Sequence, residues 1–330
     1  MSTPDPMPLL SRSAVDMAGH RRGDEEWLEK AWADPATRVM VLEGGDPVTY
    51  GWRNLMSRQS RALVRDGGGA GGDRVRLEFT SPAQAPDGDR YLLGADADGR
   101  AYFAVHADEG DPFAEAEREP GVRAASLREA GAVLDDAEAG LLTHAVALAN
   151  WHASHRFCPV CGAPTRTSAA GHVRVCEREG TEQFPRMDPA VIMLVVREDP
   201  DGEERCLLGH NPAWPQDRYS VLAGYVEPGE SLEHAVVREV AEEVGVAVAD
   251  PEYVSSQPWP FPRSLMLGFT ARAVGEAERT DDQEITDVRW LSRAELRAAA
   301  ESGAVALPGR VSIARLLIER WYGGRLPGEW

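Results

Sequence analysis

Residues 224–246, GYVEPGESLEHAVVREVAEEVGV, constrain this chain more tightly than any other segment. Pro228-Gly229 marks a turn, Ser231 is placed to cap a helix, and Gly245 is placed to end it as a C′ glycine. On a 3.6-residue period Val237, Val240, Ala241 and Val244 fall on one face, which predicts a core-facing stripe. Glu239, Glu242 and Glu243 take the remaining faces at i, i+3 and i+4. Three carboxylates within one turn repel by a few tenths of a kcal/mol per pair, roughly, unless a cation resolves them. Hard oxygen ligands in this arrangement suit Mg²⁺ or Mn²⁺. Arg238 is offset from the trio and predicted to reach back to Glu230. A solvated acidic helix face behind an ordinary turn is the plainer account of a lone Glu-Glu pair.

The other segments place this helix in a larger chain of 330 residues, long enough for two or three domains. Short apolar runs between 38 and 105 alternate with turn signals and predict a mostly β region. The glycine-rich stretch 66–73 lacks a Gly-Lys-Ser/Thr ending, so it reads as a hairpin tip, not a phosphate cradle. Leu142, Ala145 and Ala149 recur at helical spacing behind Asp135-Asp136 and predict a helix over 135–157. Strands are expected at 190–196, 205–209 and 219–222, with Asp201-Gly202 as a turn. Cys158-Pro-Val-Cys161 and Cys176 have zinc-ribbon spacing, with Glu179 at the fourth position. Glu179, His172 or His155 completes a Zn²⁺ site there, or the ribbon stands without metal. Cys206 reads as buried filler.

Net charge is −19, from 35 basic and 54 acidic residues, which opposes generic binding to nucleic acid or anionic membrane. A phosphate-bearing ligand must be captured locally. Arg310, Arg315, Arg320 and Arg325 offer one candidate basic strip. Residues 1–22 show no targeting pattern and the longest apolar stretch, 190–196, is too short to span a bilayer, so a cytoplasmic protein is expected.

Gly224, five residues, Glu230, seven residues, Arg238-Glu239-Val240, one residue, Glu242-Glu243, one residue, Gly245-Val246 matches the Nudix hydrolase signature without a mismatch. The resemblance covers about 187–330. It implies an α/β/α sandwich with a mixed sheet, and hydrolysis of nucleoside diphosphates linked to another group. Downstream, Ser256-Gln257-Pro258-Trp259-Pro260-Phe261-Pro262-Arg263-Ser264 alternates aromatics with three prolines, predicting a rigid extended loop with flat apolar faces. At this distance from the signature the string resembles the NAD(H) pyrophosphatase subfamily, whose members also remove NAD caps from RNA.

That resemblance extends upstream through a zinc-ribbon-like segment, 158–186, to an N-terminal α+β domain, 1–134. It implies that Glu239, Glu242, Glu243, Glu284 and the Ala223 carbonyl hold the metal. It implies substrate contacts from Gln257, Pro258, Trp259, Pro260, Phe261, Pro262, Arg263, Ser264, Phe184, Arg128 and the backbone near Ala314. Phe184 stands where relatives can have tyrosine, and Gly171 replaces an acidic contact. The implied substrates are NADH or NAD⁺, cleaved to AMP and nicotinamide mononucleotide, and the 5′ end of NAD-capped RNA; relatives are homodimers. The alternatives are ADP-ribose, a dinucleoside polyphosphate, or a non-catalytic nucleotide sensor.

Overall fold

The computed structural model describes residues 7–12, 15–43, 60–67, 75–107, 112–114, 116–200, 202–275 and 284–330. Most of the glycine-rich stretch 66–73 therefore lies outside the described residues, as does Asp201. The described residues divide into two compact units: one lies within 9–187 together with Trp259–Arg263, the other within 188–258 and 264–330 with residues 7 and 8. The segments 1–134, 135–157 and 158–186 thus fall largely within a single unit.

The first unit begins with helix α1 (Glu25–Ala33) and a six-stranded sheet of β1 (Arg38–Glu43), β2 (Arg61–Asp66), β3 (Val75–Leu77), β4 (Gly88–Ala95), β5 (Ala101–Ala107) and β6 (Val122–Ser126). Its order is β3-β2-β1-β5-β4, with β6 also paired to β2. The pair β1/β5 is parallel and the others are antiparallel. A short α2 (Leu127–Ala130) follows β6 directly, started by a capping box between Ser126 and Glu129.

Helix α3 (Asp136–Ser154) opens where the Asp135-Asp136 signal placed it, with the Asp135 side chain accepting from the Glu138 N–H. Its apolar residues are buried on most sides, Leu141, Leu142, Val146, Leu148 and Trp151 among them, as befits a central helix. The helix leads into a three-stranded ribbon, β7 (Thr165–Ser168), β8 (Val173–Cys176) and β9 (Glu182–Gln183).

Three imidazoles are enclosed in this unit. His152 stacks on Tyr91 with ring centroids 4.6 Å apart and lies 2.8 Å from the Gly171 carbonyl. His172 lies 2.8 Å from the Leu92 carbonyl, and His144 sits 5.2 Å from the His172 ring. Burial pushes each down from the ordinary 6.5 to about 4, and nearby arginines, Arg22 and Arg174, add to it. All three are neutral in the folded chain at pH 6, whereas the unfolded chain protonates them. Their contribution to stability is complete above pH 6.5 and lost as pH falls towards 4. Urea unfolding at pH 7.5 and 5.2 should therefore show a clear drop in midpoint before most carboxylates titrate; an unchanged midpoint contradicts it.

The second unit is an α/β/α sandwich, as the signature implied. Its mixed sheet joins β10 (Asp188–Glu198), β11 (Glu204–His210), β12 (Leu222–Tyr225), β13 (Val248–Trp259), β14 (Ser264–Ala273) and β15 (Asp287–Ser292). The order is β13-β14-β10-β11-β15, with β12 also on β10. β10 runs parallel to β14 and antiparallel to β11 and β12. The continuous apolar run on β10 is explained by two covered faces. Val191, Met193 and Val195 pack with helix α4 (Leu232–Val244), and Ile192 and Leu194 with α5 (Arg293–Ser302) and α6 (Ile313–Tyr322).

Two expectations move. The third strand lies at Leu222–Tyr225, later than 219–222, because pairing to β10 selects Leu222, Ala223, Gly224 and Tyr225; Ser220 only bridges Gly209. The proline string is not a free extended loop: residues to Trp259 belong to β13 and those from Ser264 to β14, so it is the tip of a strand pair.

Candidate active site

Helix α4 starts at Ser231, whose hydroxyl accepts from the His234 N–H at 3.2 Å, and ends at Gly245 with φ 68°. Its buried side is Ala235, Val236, Glu239, Val240, Glu243 and Val244, while Val237 and Ala241 are exposed. The expected stripe is thus turned by about one residue, or 100° of helix. Two apolar stripes share Val240 and Val244, and the sheet selects the one containing Val236. The consequence is chemical: Glu239 and Glu243, 9% and 5% exposed, lie on the sheet side, and only Glu242 faces solvent.

Gly224 explains how a carboxylate fits there. A Cβ built on Gly224 would overlap the carboxyl group of Glu239, so the glycine on β12 is the space that Glu239 occupies. Gly224→Ala should displace that carboxylate, lowering turnover by about 10²-fold or more through a shift of roughly 1 Å, with little change in secondary structure. Steady-state kinetics beside circular dichroism checks this.

Arg238 ties the signature together. Its Nε and Nη2 donate to the two oxygens of Glu230 at 2.8 Å each, Nη1 donates to Glu239 at 2.8 Å and Glu242 at 2.9 Å, and Nη2 also donates to the Tyr225 carbonyl at 2.9 Å. The expected contact with Glu230 is present and takes two of the five bonds. Arg238 holds the Glu230 carboxyl well below the usual carboxylate range, helped by the Glu227 N–H. Burial pushes Glu239 upward, opposed by Arg238 and reinforced by the charges of Glu242 and Glu284. Glu284, exposed and 45 residues further along the chain, therefore acts on the same carboxyl group.

By donor type these residues suit a hard divalent cation, with carboxylate oxygens, two of them on buried residues, and one guanidinium as counter-charge; among the described residues only the three cysteines bring three ligand atoms within 4.8 Å of one another. Ala223 precedes Gly224 on β12, opposite Ile192 of β10.

Gln257 is fully buried and its amide is already engaged, donating to Val311 O and accepting from the Ile313 N–H, both at 2.7 Å. It fixes the start of α6, where Ala314 lies, instead of presenting its amide to a ligand. Ser264 Oγ lies 3.2 Å from the hydroxyl of Tyr225. Sequence reasoning missed Tyr225; its place directly after Gly224 was the available signal.

In the other unit, Trp259 and Phe261 meet edge to face, with centroids 4.9 Å apart. The Arg128 guanidinium lies 4.1 Å from the Phe261 centroid and 5.2 Å from that of Trp259. It makes no ion pair among the described residues, and burial lowers its pKa. Asn150 Nδ2 holds the tip by donating to the carbonyls of Pro260 and Pro262 at 2.9 and 3.0 Å. Phe184 is 66% exposed after β9. Gly171, with φ 91°, has the Tyr91 ring where a side chain would start, which accounts for the missing acidic residue.

The ribbon brings Cys158, Cys161 and Cys176 together, with their sulfurs all within 4.8 Å. No fourth donor joins them among the described residues. His172 is bound to Leu92 O, His155 faces Ser154 and Trp151 O, and Glu179 is exposed with its N–H 3.4 Å from Cys176 Sγ. The two turns are alike: the Gly162 N–H donates to Cys158 O and the Gly180 N–H to Cys176 O, each at 2.9 Å. Glu179 thus occupies in the second turn the place of Cys161 in the first. The thiol cluster fits structural zinc. Cys206 is buried, as expected, and its thiol is pushed up to about 12. No helix among the described residues is long and apolar enough to cross a membrane.

Comparison with known proteins accounts for the same segments. The family model of the NUDIX domain matches residues 187–308, the NADH pyrophosphatase zinc ribbon domain 153–184, and the NADH pyrophosphatase-like rudimentary NUDIX domain 36–151. The chain is 39% identical over 327 residues to the NAD-capped RNA hydrolase NudC of Mycobacterium bovis, covering 96% of this chain and 95% of that protein. The NAD-capped RNA hydrolase NudC of Stutzerimonas stutzeri is 42% identical over 207 residues, covering 63% and 70%. A NUDIX hydrolase of known structure from Nitrosomonas europaea is similar at 22% identity and a TM-score of 0.39, covering 53% of this chain and 96% of that one.

Proposed function

The chain belongs to the NADH pyrophosphatase branch of the Nudix hydrolases, and from that membership we propose that it splits the diphosphate of NADH or NAD⁺ and of NAD-capped RNA. The products are AMP, or RNA beginning with a 5′-monophosphate, and nicotinamide mononucleotide. The observation that carries this reading is the carboxylate group of α4, with Glu239 seated over Gly224, Glu243 buried beside it, and Glu242 and Glu284 adding charge.

Glu239, Glu242, Glu243, Glu284 and the Ala223 carbonyl would hold Mg²⁺ or Mn²⁺. Bound there, the metal supplies charge neutralisation for the diphosphate and lowers the pKa of a water. The chain's own part is to fix the carboxylates. Arg238 and Glu230 lock the preceding loop onto α4, and a carboxylate oxygen takes the proton of the attacking water. Trp259, Phe261 and Phe184 offer faces for stacking a base or nicotinamide ring, and Arg128 a cation for phosphate. Pro258, Pro260, Pro262, Arg263, Ser264 and the backbones of Gln257 and Ala314 complete the substrate contacts. Zn²⁺ on Cys158, Cys161 and Cys176, with Glu179 as the fourth ligand, would stiffen the ribbon. A homodimer belongs to the same reading, with light scattering as its test.

The deciding experiment incubates the protein and Mn²⁺ with NADH, NAD⁺, ADP-ribose and a dinucleoside polyphosphate and identifies the nucleotides released. AMP with reduced nicotinamide mononucleotide is expected from NADH. Cleavage of ADP-ribose or the polyphosphate alone transfers the reading to that substrate, and cleavage of none sinks it as an enzyme.

A further inference from the structure

Of the arginines expected to form a strip at 310–325, Arg310, Arg320 and Arg325 are exposed and Arg315 is not. Arg315 is 2% exposed and donates to the carbonyls of Pro308, Leu326 and Gly328, while Arg310 pairs with Glu329 at 3.9 Å. Positive charge also gathers where α3 ends and the ribbon begins. His155, at the end of α3, is pushed down by burial and then by the charges of Arg263, Arg186 and Arg174. Arg156 follows it, exposed and without an ion pair among the described residues.

Two exposed aromatics are interleaved with these cations, Phe157 beside Arg156, at 62%, and Phe184 two residues before Arg186. Register places them along one small sheet. The Thr165 N–H donates to Arg156 O, Phe157 bridges Pro164, and two residues along β7 the row Thr167, Arg174, Gln183 leads to Phe184. That row lies about 7 Å from Thr165 by strand rise. Asn150 tethers the Trp259–Arg263 tip to the same end of α3. Of the acidic residues on or beside this ribbon, Glu177 and Glu179 belong to the turn at the other end of β8, while Glu182 is exposed on β9 and Asp89 accepts from the Thr167 hydroxyl at 3.1 Å.

Arginine alternating with exposed aromatic rings is the chemistry that grips single-stranded nucleic acid, with guanidinium on phosphate and rings on bases. In a chain of net charge −19, exposed arginines held at one place can capture a polyanion locally. We infer that the surface carrying Arg156, Phe157, Phe184 and Arg186 receives the first nucleotides of an RNA whose 5′ cap is being cleaved. This rests on the reading of the chain as an NAD-diphosphate hydrolase and adds the part of the substrate beyond the cap.

The test compares kcat/KM on NADH and on a short NAD-capped RNA for the wild type, Arg156→Glu/Arg186→Glu and Phe157→Ala. The charge reversal should lower the capped-RNA value about tenfold or more and flatten its salt dependence by about 1.4 in log–log slope, two phosphates at about 0.7 each. The NADH value, which also reports folding, should stay within about twofold of wild type, because a fold-change that small is near the noise of surface substitutions. Equal losses on both substrates, or an unchanged salt slope, overturn the inference. Wild-type protein that cleaves NADH but leaves capped RNA intact overturns it too, with the underlying reading standing; cleavage of neither removes both.

Discussion

Glu243→Gln is expected to fold normally and to lose about 10²–10⁴-fold in kcat on NADH with Mn²⁺. The amide fills the same space on the buried side of α4, so packing against the sheet survives. It removes the negative charge that both metal binding and proton transfer require. Burying a carboxylate is costly, so the variant should melt no lower than the wild type. Glu242→Gln provides the comparison, since that side chain is 61% exposed and outside the buried row; its loss should be smaller. Metal titration separates binding from turnover, because a ligand loss weakens Mn²⁺ binding whereas a lost base does not. Retention of more than about a third of the wild-type rate by Glu243→Gln would falsify its role, given the 10²-fold that acid–base groups commonly provide.

What was legible follows from how locally each feature is determined. The turn, cap, helix and C′ glycine of 224–246 are encoded within one another's reach, and they appear in place. The α3 start and the fully covered β10 are equally local, one through a capping aspartate and the other through an unbroken apolar run. The rotation of α4 was not legible, because polar residues were assumed to face water, and Glu239 is buried where Gly224 leaves space. β2, with the sequence RALVRD, and β6, with VRAAS, carry too little apolar pattern to stand out, and become strands by pairing with each other.

The substrate string shows the same limit. Its prolines and aromatics were visible, but nothing near Gln257 announces that its amide is spent on Val311 and Ile313, more than 50 residues away. Nor does SLREAG announce that Arg128 lies over Phe261. Long-range pairing decided both. The signature, by contrast, contains its own partners, which is why Glu230 and Arg238 were matched from sequence.

Arg238→Ala should cost about as much as moving the reacting groups by 1 Å, roughly 10²-fold in kcat, although Arg238 is a positioning residue that meets no substrate. Its guanidinium places five bonds on Glu230, Glu239, Glu242 and the Tyr225 carbonyl. Removing it takes both guanidinium bonds from Glu230, a carboxylate with a 7% exposed side chain, and leaves it only His234 and the Glu227 N–H, so the loop before α4 should loosen and Mn²⁺ bind more weakly. Lysine should not rescue it, because an ammonium cannot span both oxygens of Glu230 while also reaching Glu239 and Glu242. If the loss acts through the Glu230 pair, Glu230→Gln alone should be comparably damaging and the double variant little worse than either, since both break one network. Full additivity would instead assign Arg238 a second role at the carboxylates, and rescue by lysine would reduce that role to charge alone.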